Sequence, residues 1–72
     1  MSTPATIEVH VNGEPRELPP RTTVNDLVRL LGLRPELVAV EVNRCLVPGP
    51  RRDERRLAQG DRVELVTMVG GG

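Results

Sequence analysis

Residues 6–18 read TIEVHVNGEPREL, a pattern that predicts a β-hairpin. Apolar and polar residues alternate along its first half, which predicts a strand with one buried face. Asn12-Gly13 then predicts a type I′ hairpin turn, because both central positions of that turn need a positive φ. The returning segment contains Pro15, which cannot donate a hydrogen bond to a sheet ladder. We therefore expect this second strand at a sheet edge.

The segment after the hairpin predicts one short helix, over residues 24–31. Thr23 and Asp26 form a capping-box pattern at its start, and apolar residues spaced by three and four positions form one stripe. Gly32 suits the left-handed position that follows a helix. A hairpin followed by such a helix predicts an α+β fold, with the helix packed on one face of the sheet.

Three further strands are predicted, at residues 38–42, 45–47 and 62–67. The segment between the last two is polar and irregular, and Leu57 is its expected anchor in the core. Seven apolar side chains on the inward phases are expected to be buried: Ile7, Val9, Leu27, Leu31, Val40, Val63 and Leu65.

Composition narrows the classes of function. Ten basic residues balance ten acidic ones, and a nucleic-acid-binding protein needs a surplus of basic groups. The single cysteine can form neither an internal disulfide nor a cysteine-based metal cluster. The first residues lack a signal-peptide pattern, and no stretch approaches the ~20 apolar residues that span a bilayer. We therefore expect a cytoplasmic protein with no nucleic-acid or membrane partner.

Candidate catalytic residues are few. The lone histidine, His10, is expected to be exposed on a strand, and Cys45 is expected to be a buried or half-buried filler. Neither metal-ligand spacing nor a phosphate-binding loop is present in the sequence. The arginine-rich loop of residues 51–56, RRDERR, is either a solvated loop or a docking patch for an acidic partner. We predict no catalytic residue and no bound metal.

The outward phase of the last strand is a candidate docking face. Glu64, Val66 and Met68 share this phase, and apolar side chains on a wet face indicate a contact surface. The alternative is a small exposed patch without a function.

The sequence ends on Gly70-Gly71-Gly72. Glycine has no Cβ, so a glycine tail can thread a narrow channel, and its carbonyl is unhindered to attack. A carboxylate becomes a good electrophile after adenylation by ATP. The alternative is a frayed end without chemistry. We predict a domain over residues 1–67 and a flexible tail over residues 68–72.

Taken in order, these segments resemble the ThiS family of thiamine-biosynthesis sulfur carriers, within the ubiquitin-like β-grasp group. The resemblance is carried by VNGEP (11–15), TTVNDLVRLLGL (22–33), VAVEVN (38–43), LVP (46–48), Leu57, Gly60-Asp61, RVELVTMV (62–69) and Gly71-Gly72. It implies a mixed five-stranded sheet whose first and last strands are parallel neighbours, with one main helix on one face. Arg52 and Val66 stand where family members often have an aromatic residue.

The resemblance also implies a function, in which the chain is a cosubstrate and not an enzyme. An E1-like adenylating enzyme of the ThiF type would use ATP and magnesium to activate the Gly72 carboxylate, with Gly71 and Gly70 threading its channel. Sulfur from a cysteine desulfurase or another donor would then replace AMP. Thiazole synthase, of the ThiG type, would take the sulfur from the resulting thiocarboxylate, and the carrier itself would bind no cofactor.

Two alternatives remain open at this point. The chain could carry sulfur for another pathway, such as molybdopterin synthesis or tRNA thiolation. It could also be a β-grasp interaction module whose tail has no chemistry.

Overall fold

The computed structural model describes residues 5–68. Its helix and strands are β1 (Ile7–Val11), β2 (Glu14–Leu18), α1 (Val24–Leu30), β3 (Val38–Val42), β4 (Cys45–Leu46) and β5 (Arg62–Thr67). The strands form one five-stranded sheet in the order β2-β1-β5-β3-β4. β1 and β5 are parallel, and the other neighbouring pairs are antiparallel. This arrangement confirms the predicted α+β fold with a mixed five-stranded sheet.

The first hairpin has the predicted geometry. Asn12 and Gly13 have φ angles of 51° and 87°, as a type I′ turn requires. β2 lies at one edge of the sheet, and its Pro15 is opposite His10. The proline was therefore a correct indication of an edge strand.

Helix α1 starts with the predicted capping box. The Thr23 hydroxyl accepts a hydrogen bond from the Asp26 N–H at 3.1 Å, and the Asp26 carboxylate accepts one from the Thr23 N–H at 3.1 Å. The helix ends at Leu30, one residue earlier than predicted, and Leu31 is its C-cap. Gly32 follows with a φ of 74°, the left-handed conformation expected of it.

The core lies between α1 and one face of the sheet, and it is entirely aliphatic. The buried apolar residues are Val9, Leu18, Val24, Leu27, Val28, Val38, Val40, Val42, Val47, Leu57, Val63 and Leu65. Leu57 is the core anchor that the sequence predicted. Ile7 and Leu31, also predicted to be buried, are half-buried and pack against this cluster from its margin. No helix among residues 5–68 is long and apolar enough to cross a membrane.

Candidate functional site

β5 lies at the centre of the sheet and leads towards the glycine run. β1 pairs with its first half, through His10 opposite Arg62 and Val11 opposite Val63. β3 pairs with β5 from Val38, opposite Thr67, to Val42. β5 is thus supported by a strand on each side.

Asn12 extends the support that β1 gives. The Asn12 N–H still donates to the Val63 carbonyl at 2.8 Å, and its carboxamide then continues the contact where the backbone turns away. Its Oδ1 accepts a hydrogen bond from the Leu65 N–H at 2.8 Å, and its Nδ2 donates to the Leu65 carbonyl at 3.3 Å. The sequence indicated only a turn role for this asparagine, so its contact with β5 was missed.

Asn43 makes an equivalent contact from the β3 side. Its Oδ1 accepts from the Arg62 N–H at 2.9 Å, and its own N–H donates to the Arg62 carbonyl at 2.7 Å. Its Nδ2 donates to the buried Asp61 carboxylate at 2.9 Å. The asparagines of two hairpin turns therefore hold opposite edges of β5.

The outward face of β5 is open, as its alternating pattern predicted. Glu64 is exposed, Val66 is 62% exposed and Met68 is 53% exposed. The adjacent position on β3, opposite Val66, is Ala39. At the far edge, Leu46 on β4 is 62% exposed as well. The exposure of the candidate docking face is confirmed, whereas its role in docking stays a prediction.

Met68 is the last residue described, and its backbone is anchored. Its N–H donates to the Leu37 carbonyl at 2.7 Å, just before β3 begins. The predicted tail residues Gly70, Gly71 and Gly72, together with Val69, lie outside the described residues. The boundary predicted between residues 67 and 68 also stays a prediction.

A buried arginine supports this anchor point. The Arg52 side chain, in a residue only 8% exposed, donates through Nη1 to the Pro35 carbonyl and through Nη2 to the Val38 carbonyl, both at 2.8 Å. Its Nε donates to the Val47 carbonyl at 3.2 Å. The guanidinium group therefore holds the backbone on both sides of Leu37, the residue that accepts the Met68 hydrogen bond.

The solvated-loop interpretation of residues 51–56 is wrong for Arg52. Arg51 and Arg56 are exposed and Arg55 is half-buried, as a surface loop predicts. Arg52 differs because three backbone carbonyls accept hydrogen bonds from its guanidinium group. These bonds replace the hydrogen bonds to water that the group loses on burial. Charge patterning along the sequence cannot reveal such a set of acceptors.

The lone cysteine and the lone histidine also differ from expectation. Cys45 is exposed, because β4 has only two residues and lies at a sheet edge, where no further strand of residues 5–68 covers it. His10 is half-buried, and its Nδ1 is buried without a hydrogen-bond partner among residues 5–68. Within the same range, no cluster of three His, Cys, Asp or Glu side chains could hold a metal ion.

Comparison with known proteins identifies the family. The model of the ThiS family matches residues 9–72. The chain belongs to the ThiS family. Membership confirms the resemblance drawn from the sequence and, with it, the predicted class of small ubiquitin-like sulfur carriers.

A solved structure agrees with this assignment. The thiamine biosynthesis protein ThiS from Geobacter metallireducens superposes with a TM-score of 0.78 and 29% identity, over 92% of this chain and 100% of that one. The β-grasp fold predicted from the sequence is thereby confirmed.

Two relatives that match this chain differ greatly in their own length. A thiazole synthase from Magnetococcus marinus is 38% identical over 66 residues, which are 92% of this chain but only 20% of that protein. The uncharacterized protein ycf40 from Porphyra purpurea is 32% identical over 92% of this chain and 93% of its own length. This chain therefore spans about a fifth of the thiazole synthase that it matches and nearly the whole of ycf40.

Proposed function

We propose that this chain carries sulfur to a thiazole synthase in thiamine biosynthesis, as a thiocarboxylate on Gly72. The observation that carries the proposal is the match to the ThiS family, which runs through the glycine run to Gly72 itself. The likeness to a solved thiamine biosynthesis protein supports the choice of pathway.

The thiazole synthase relatives support the choice of acceptor. In proteins from Magnetococcus marinus and Paramagnetospirillum magneticum, a segment similar to this chain makes up 20% and 19% of the whole protein. Joining two modules in one polypeptide raises their effective concentration towards each other, which helps only modules that work together. A thiazole synthase is therefore the partner that we assign to this chain.

The proposed chemistry takes place on the carboxylate of Gly72. An E1-like adenylating enzyme of the ThiF type binds ATP and magnesium, and the carboxylate attacks the α-phosphorus, so that pyrophosphate leaves. Sulfur supplied by a cysteine desulfurase or another donor then displaces AMP from the acyl-adenylate. The absence of a Cβ at Gly70, Gly71 and Gly72 leaves room for these attacks within a narrow channel.

Hydrogen bonds among the described residues hold in place the strand that precedes the tail. The two asparagine contacts hold β5, and the Met68–Leu37 hydrogen bond fixes the last described residue. Residues 69–72 can span at most ~14 Å beyond that point. Partner docking on the open face next to Met68 would therefore bring Gly72 within reach of a recessed active site.

Deletion of Gly71 and Gly72 tests the proposal. The truncated and full chains are compared in a reconstituted mixture of adenylating enzyme, sulfur donor, ATP, magnesium and thiazole synthase. We expect the truncated chain to fold and to bind the synthase but to yield no thiazole. Thiazole formation at the rate of the full chain would contradict the proposal and favour an interaction module without tail chemistry.

The pathway is tested separately in cells. A strain that lacks the chain is expected to require thiamine for growth. Normal growth without thiamine, together with a loss of molybdopterin-dependent enzyme activities, would contradict the assigned pathway.

A further inference from the structure

Two glutamates lie directly opposite each other on the open face of the sheet. The register of β3 and β5 pairs Glu41 with Glu64, and both side chains are exposed. Like charges directly opposite each other on neighbouring strands destabilise a sheet. The fold therefore contains a local repulsion within its candidate docking face, at Glu64.

No ion pair within residues 5–68 involves either glutamate. The ion pairs in that range join Arg34 to Glu36 and Arg55 to Asp61. Arg62 shares the outward phase of β5 with Glu64, but no ion pair joins them there. The two carboxylates are thus available to a cation from outside the described part of the chain.

Exposed apolar side chains flank the pair on two sides. Leu46 lies opposite Glu41 on β4, and Val66 lies one outward position beyond Glu64 on β5. Both are exposed to the same extent, 62%. Carboxylates flanked by exposed apolar side chains form a site at which a partner's cation becomes partly desolvated and gains from pairing.

We propose that Glu41 and Glu64 together bind an arginine or lysine side chain that the thiazole synthase presents from an apolar surface. This inference rests on the proposed function and adds the chemistry of the partner's surface. Arginine suits the site best, because its planar fork of N–H donors can reach two carboxylates at once. A cation bound between the glutamates would also offset the repulsion between their carboxylates, because both would pair with it.

The proposal predicts that fold stability and binding change in opposite directions. The double variant Glu41→Gln and Glu64→Gln removes the repulsion, so its denaturation midpoint should rise above that of the parent chain. The same variant removes both carboxylates from the partner's cation, so binding should weaken.

The chain provides a matched control pair. Glu8 lies directly opposite Glu17 on β1 and β2, and both are exposed. This pair is remote from Met68, because the Glu8 carbonyl accepts the N–H of Gly60, ahead of the first residue of β5. The double variant Glu8→Gln and Glu17→Gln changes net charge by the same amount and relieves the same kind of repulsion.

The experiment measures binding of the full chain and both double variants to the thiazole synthase of the same organism, at low salt and at about 1 M salt. We expect the Glu41/Glu64 variant to bind about tenfold more weakly at low salt, chiefly through faster dissociation, because the lost charge pair is desolvated in the complex. The difference should shrink at high salt, and the Glu8/Glu17 variant should bind like the parent. A third variant, Glu64→Arg, should be more stable than the parent and bind least, because it replaces the repulsion with an internal ion pair.

Several outcomes would overturn the inference. These are parent-like binding by the Glu41/Glu64 variant, equal weakening by both double variants, and no detectable binding by the parent chain. Thiocarboxylate formation on the parent chain is measured in parallel, because it tests the proposed function alone. A chain that forms the thiocarboxylate but binds independently of Glu41 and Glu64 would retain the function and lose this docking site.

Discussion

The two faces of β5 differ in what they contact, although they alternate residue by residue. Val63 and Leu65 point into the aliphatic core and are 1% and 9% exposed. Glu64 and Val66 point the other way, onto a face that no element of residues 5–68 covers. One strand therefore contributes both to the stability of the fold and to the candidate surface for a partner. Changes on the covered side should unfold the protein, and changes on the open side should leave it folded.

The largest effect is expected on the covered side, for Leu27→Ala in α1. Leu27 is fully buried, and its truncation should lower the free energy of unfolding by about 2–5 kcal/mol through lost burial and a cavity. Thermal or urea denaturation measures this change. Leu30→Ala is the matched control, because Leu30 lies on the same helix and is 60% exposed. An unchanged midpoint for Leu27→Ala would show that α1 does not pack on the sheet as described.

A smaller loss of stability is expected for Arg52→Met. This substitution keeps an aliphatic side chain and removes three hydrogen bonds to backbone carbonyls. Leaving buried carbonyls without donors should lower the free energy of unfolding by about 1–3 kcal/mol. The Met68 amide should also exchange with solvent faster, because its acceptor, Leu37, loses support on both sides. Arg51→Met serves as the exposed control. Equal effects of the two substitutions would remove Arg52 from this role.

The stabilising contribution of the Asp26 carboxylate at the helix cap should depend on pH. Hydrogen bonds with the Thr23 backbone N–H and with the Thr23 side chain hold the pKa of the Asp26 carboxyl below its usual value of 3.8. A lowered folded-state pKa means that the contribution is present above pH 3.8 and is lost as pH falls through the folded value. Asp26→Asn should therefore reduce the acid-dependent loss of stability over that range. Identical acid profiles for the variant and the parent would contradict this role for the cap.

The smallest effect on stability is expected on the open side, for Met68→Asp. Because the Met68 side chain is exposed, the free energy of unfolding should change by no more than about 0.5 kcal/mol. Binding to the adenylating enzyme or the thiazole synthase should weaken, because the new charge would have to be desolvated at the interface. Parent-like affinity for every partner would remove Met68 from the docking face.

Local patterns predicted the elements of the fold correctly. The Asn12-Gly13 turn, the Thr23–Asp26 capping box and the edge position of the strand with Pro15 each depend on a few consecutive residues. Such features can be recognised in the sequence because their partners lie within the same segment.

The contacts that support β5 could not be predicted in this way. Asn12 reaches Leu65 across 53 positions, and Arg52 reaches Pro35 across 17. Such pairings exist only after the sheet has formed, and neither periodicity nor charge patterning encodes them. The exposure of Cys45 was also misjudged, since hydrophobic neighbours suggested a buried strand while its edge position leaves it uncovered.

The most direct test of the sulfur-carrier function is the intact mass of the chain after incubation with adenylating enzyme, sulfur donor, ATP and magnesium. Replacement of one carboxyl oxygen of Gly72 by sulfur should add about 16 Da to the parent chain. A chain without Gly72 should gain nothing, and neither should Gly71→Val, whose side chain would obstruct the channel while leaving the fold intact. An unchanged mass of the parent chain, with an enzyme and donor active on another carrier, would contradict the assignment of Gly72 as the site of sulfur transfer.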